Sequence, residues 1–152
     1  MGMIRLARAV LGLPPRRWID TTIAAVLAVR VERALARGGV DRAARLGHVR
    51  VAMNGSAAPT APLSSIRLSS REREQLDIAW RVLAHRPFNG TCLRRAIVGG
   101  YFLRARQPLL RIGVAKSAGI VTAHAWVEVD GIALDPDASE RYAVLSRPET
   151  QL

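Results

Sequence analysis

Apolar residues recur every four positions at Ile23, Leu27, Val31 and Leu35, a spacing that stacks them on one face of a helix. The pattern predicts a helix over 20–37, with Asp20 or Thr21 as its cap and Gly38-Gly39 as its stop. Weaker helical patterning covers 3–12 and ends at Pro14-Pro15, and a short helix is expected from Asp41 to His48. Residues 53–66 are mostly small and carry Pro59 and Pro62, so they read as a linker or loop. Beyond it, Ser69-Ser70-Arg71-Glu72 has the form of a capping box. Leu76, Ala79, Trp80 and Leu83 then form one apolar helical face that ends before Pro87. Asn89 or Thr91 can cap the next helix, from Cys92 to about Arg106. The period then drops to two: Leu109 to Val114, Thr122 to Val129 and Ile132 to Leu134 read as strands. Asp130-Gly131 between the last two is a hairpin turn. Helices followed by a short antiparallel sheet predict an α+β fold. Its expected organisation is one domain over 1–152, with a helical N-terminal part (1–52), the linker, and a core over 67–146.

Composition adds little to that outline. The chain has 152 residues, 49% of them hydrophobic, enough for one core without cross-links. A single cysteine forms no internal disulfide, and the longest apolar run, Ile23 to Val29, is far short of a membrane span. The chain therefore reads as cytoplasmic. The net charge of +11 comes from arginine, with Lys116 the one lysine. Such a charge favours acidic partners. The arginines are scattered and only seven aromatics are present, which argues against a nucleic-acid surface.

The chemistry gathers around Cys92. It begins an amphipathic run after the turn Asn89-Gly90-Thr91. There the free N–H groups and positive end of a helix favour a thiolate and could hold an oxyanion. His124 lies on an alternating strand, sharing a face with Trp126 and Glu128. A nucleophile, a base on a strand and an acid on the next strand are the parts of cysteine catalysis. The two-residue hairpin pairs Val129 with Ile132, which sets His124 opposite Asp137 and diagonal to Asp135; a bulge would bring Asp135 into reach. Trp126 is expected to wall the cleft, and Glu128 to be a solvated strand residue. His48 and His85 are expected at the surface, Gly90 to permit a tight turn, and Gly99-Gly100 to permit close helix packing. There is no metal-ligand spacing and no phosphate-cradling loop, so no cofactor is expected.

Cys92-Leu93-Arg94-Arg95-Ala96, the basic Arg104–Arg106 end, Leu110–Val114 and the run His124-Ala125-Trp126-Val127-Glu128-Val129-Asp130-Gly131 resemble the transglutaminase-like, papain-related superfamily. Within it they look most like the lasso-peptide biosynthesis B proteins of the short B2 type, which lack an attached leader-recognition domain. The resemblance covers about residues 68–146. It implies a Cys-His-Asp leader peptidase that frees the core of a ribosomally made precursor. The implied partners are that precursor, a separate leader-recognition protein and the lasso cyclase. It favours Asp135 as the acid, because in many relatives the acid immediately precedes proline; Asp137 is the alternative. Rival readings are a transglutaminase-like amidase or acyltransferase on another protein, and a basic binding module with a silent triad.

Overall fold

The computed structural model describes residues 14–53, 66–135 and 142–145. Its elements, in order, are α1 (Pro15–Leu46), β1 (Arg50–Val51), α2 (Ser70–Ala84), α3 (Cys92–Phe102), a 3-10 turn (Arg104–Arg106), β2 (Leu109–Ser117), β3 (Ile120–Val129), β4 (Ile132–Ala133) and β5 (Ala143–Val144). Among the described residues, three helices and a small mixed sheet make an α+β fold.

α1 begins earlier than its periodicity suggests, because Pro15 sits at the first helical position, where its fixed φ is already helical. It also runs on through the short helix expected after Gly39. Gly39 has φ 71 and ψ −170, so the helix is kinked there rather than stopped. Asp20 is not a cap. It lies inside α1, only 2% exposed, and its carboxylate accepts from Arg71 Nη2 at 2.9 Å and Gln75 Nε2 at 3.0 Å. Those bonds fasten α1 to α2. Arg94 on α3 binds Glu32 on α1 with both arms of its guanidinium, so α1 holds both later helices. Ala24, Leu27, Ala28 and Val31 from α1 share one core with Leu76, Ala79 and Leu83 of α2, Ile97 and Val98 of α3, and Val127 and Val129 of β3.

α2 starts at the predicted capping box: Ser69 Oγ accepts from Glu72 N–H at 3.2 Å, and Glu72 Oε2 accepts from Ser69 N–H at 2.7 Å. The predicted linker lies mostly outside the described residues, as do residues 3–12. Ile66, assigned to that linker, is a buried core residue. α3 ends at Phe102, short of the predicted Arg106, and tightens into the 3-10 turn.

The sheet order is β1-β2-β3-β4, with β5 also on β2. It is not wholly antiparallel, because β1 lies parallel to β2, Arg50 beside Leu109. The β2–β3 hairpin is longer than expected and turns on Ala118 and Gly119, φ 48 and 82. The Asp130-Gly131 turn, φ 52 and 74, pairs Val129 with Ile132, the left-handed geometry that suits a two-residue hairpin. Arg106 clamps this corner by donating to Glu72 at 2.6 Å, Asp130 at 2.6 Å and the Arg67 carbonyl at 2.8 Å.

Candidate active site

Cys92 is the first residue of α3, which makes it N1 after the N-cap Thr91. The first helical bond runs from Arg95 N–H to Thr91 C=O. The N–H groups of Cys92, Leu93 and Arg94 therefore precede any intrahelical acceptor, in the same turn that carries the thiol. Thr91 makes no side-chain cap. Its hydroxyl instead accepts from Arg94 Nη1 at 2.9 Å, which ties the start of α3 to α1 through the Arg94–Glu32 pair. The Gly90 requirement is for space: a Cβ there would stand 2.7 Å from the Leu83 carbonyl oxygen. Gly100 likewise admits Val49, whose Cγ1 would lie 2.1 Å from an added Cβ.

His124 lies opposite Gly113 in the β2–β3 register. Its Nε2 and Asp135 Oδ2 are 2.7 Å apart, so the imidazole N–H donates to the carboxylate and Nδ1 is the nitrogen left for a second partner. Asp135 reaches it because the β3–β4 ladder ends at Glu128 and Ala133, and the chain bends at Leu134 and Asp135. Asp137, the alternative acid, lies outside the described residues.

Two aromatic rings hold the imidazole. Tyr142, just ahead of β5, stacks on it at 4.9 Å between centroids, and Trp126 lies 6.1 Å away at 21°. Gly113 makes room for both, since a Cβ there would come within 2.9 Å of the Trp126 ring and of Tyr142 Cβ. Trp126 is fully buried, and its indole N–H donates to Glu128 Oε1 at 3.2 Å. Glu128 is not the solvated residue expected. It is 3% exposed and accepts from Arg111 Nε at 2.9 Å. Arg111 faces Trp126 across the hairpin, and Glu128 accepts from both the guanidinium and the indole N–H. His48 and His85 are exposed, as their settings suggest.

Cys92 and His124 lie on one cavity of about 300 Å³. Its walls carry Cys92, His124, Asp135 and Trp126, with Trp80, Arg95 and Gly99 around them. No hydrogen bond joins the thiol to the imidazole among the described residues; such contacts commonly close only around a bound substrate. Tyr142 and the Arg111–Glu128 pair escape a sequence reading because each acts across the sheet. The one signal for the pair was two opposite charges on alternating strands otherwise rich in apolar residues.

The transglutaminase-like superfamily model matches residues 9–147, which takes in α1 as well as the part carrying the motifs. No curated protein and no solved structure matches the chain.

Proposed function

We propose, for a chain that belongs to the transglutaminase-like superfamily, that it is a cysteine peptidase removing the leader from a ribosomally made lasso-peptide precursor. The observation that carries the chemistry is the His124–Asp135 contact of 2.7 Å on the wall of the cavity that holds Cys92. In this reading Nδ1 of His124 takes the thiol proton, and the thiolate attacks the carbonyl carbon of the scissile peptide bond. The free N–H groups at the start of α3 hold the oxyanion. The C–N bond breaks, the amine leaves with the proton from the imidazolium, and a thioester remains. Water then adds to the thioester with His124 as base, which frees the leader's carboxyl end and restores the thiol. Asp135 keeps the imidazole oriented and stabilises its charged form.

The choice of a lasso-peptide precursor rests on the run from His124 to Gly131 together with Cys92-Leu93-Arg94-Arg95-Ala96. The same resemblance proposes a leader-recognition protein that presents the precursor, and a cyclase that uses the freed amine. Incubating the protein with a cognate precursor and recognition protein, followed by mass spectrometry, tests the reading. The expected products are intact leader and core, lost in Cys92→Ala and His124→Ala. Near wild-type cleavage by Cys92→Ala would end it.

A further inference from the structure

β3 pairs with β2 along its whole length, but on its other side it pairs with β4 only at Glu128 and Val129. The bond from Leu134 N–H to Val127 C=O identifies the backbone groups that point to this outer side. They are those of Val127 and, by alternation, of Ala125, Ala123 and Val121. The far edge of β2 gives the same parity. There Leu110 and Ile112 accept from Ala52 and Leu145, and these two residues stand opposite Val127 and Ala125. The outward N–H and C=O groups of Val121, Ala123 and Ala125 have no partner among the described residues.

That free edge is unlike an ordinary one. Folded proteins guard exposed edges with charge, proline or bulges, because an open row of backbone groups templates another strand. Here the edge reads Ile120-Val121-Thr122-Ala123-His124-Ala125, with neither a charge nor a proline. Ile120 and Val121 are 67% and 65% exposed at its outer end. Its inner end is buried: Ala125 is part of the cavity wall beside His124. A buried backbone group without a partner is costly, so this position is built to receive one.

We propose that the β3 edge is the substrate-binding track, and that it takes an extended, unfolded polypeptide segment as an added strand running into the cavity. This rests on the peptidase reading above and adds how the substrate is held. Main-chain hydrogen bonds to Val121, Ala123 and Ala125 supply affinity with little dependence on sequence. Side chains of an added strand alternate between faces. The one beside Ala125 enters the space bounded by Trp80, Ala96, Gly99 and Gly100, which suits a small or apolar residue. A folded substrate offers no free strand and is excluded.

The test uses acetyl-tetra-alanine chloromethyl ketone, whose methylene carbon bonds to the Cys92 sulfur as chloride leaves. The adduct is compared with the same protein alkylated by iodoacetamide. Amide exchange followed by NMR should slow about tenfold or more at Val121, Ala123 and Ala125 in the peptide adduct only. Thr122 and His124, whose amides face β2, should be unchanged. Ketones N-methylated at single positions should lose about threefold to tenfold in alkylation rate at alternate residues, the loss expected of one hydrogen bond. Uniform exchange, or N-methyl effects without alternation, overturns the track while leaving a reactive Cys92 and the peptidase reading intact. A Cys92 that ignores both reagents sinks both. Protection of the same amides before any peptide is added, in a dimeric protein, gives the edge to a second copy of the chain and overturns the proposal.

Discussion

Asp135 is the carboxylate bonded to the His124 imidazole, and it is only partly enclosed, 35% exposed. Asp135→Asn keeps the shape of the side chain and removes the charge that holds the imidazole N–H. Turnover should fall by about 10⁴ if the orienter acts as in serine proteases, with precursor affinity little changed; single-turnover cleavage beside a binding measurement checks both. Severe loss in Asp137→Asn and little loss in Asp135→Asn would reverse the assignment. Glu128 is a different kind of acid. With Arg111 it forms a buried ion pair and also accepts from the Trp126 indole N–H, and removing one member of such a pair costs about 3–5 kcal/mol. Glu128→Ala should therefore lower stability by that order in chemical denaturation, where an ordinary surface glutamate would cost almost nothing.

Among the elements, α2 and α3 were legible because their starts are coded locally, by Ser69 with Glu72 and by the turn before Cys92. The Asp130-Gly131 hairpin was legible for the same reason, and with it the register that places His124. What could not be read was settled at long range. Two-residue β1 exists because Val49 packs on Gly100 and Arg50 meets Pro108. Asp20 looks like a cap in sequence and becomes a tether because α2 brings Arg71 and Gln75 to it. That tether should be asymmetric. Asp20 is buried while Arg71 is 40% exposed, so Arg71→Ala strands a buried carboxylate, whereas Asp20→Ala leaves an arginine that water can reach. Arg71→Ala should be the more destabilising of the two by about 1 kcal/mol or more, read from paired unfolding curves.

Across the whole molecule the arginine excess is partly internal structure. Arg17, Arg71, Arg94, Arg106 and Arg111 each hold a carboxylate of another element. The two Arg106 hydrogen bonds hold the Glu72 carboxyl down at about 2 against burial, which opposes them, and Ser69 adds to the lowering. Glu32 and Glu74 are lowered in the same direction, first by their bonds to Arg94 and Arg17. A carboxyl lowered in the folded state stabilises it fully above its ordinary value of 4.5, and that contribution fades as pH falls towards about 2. Unfolding measured from pH 6 to 2 should show this decline, and Glu72→Gln should flatten it. Among the described residues the remaining positive charge is exposed, and such charge is screened by salt over roughly 8–10 Å. Precursor cleavage at limiting concentration should slow as salt rises, with turnover at saturation unchanged.

The stacking of Tyr142 on His124 sets an order in time. The thiol at 92 is synthesised first, the base at 124 later, and the ring that braces the base later still. At roughly 5–20 residues per second, about 50 residues separate nucleophile from brace, a delay of several seconds. For that interval the nascent chain carries its cysteine without the finished machinery beside it, so the peptidase activity proposed above would be withheld while the chain is being made.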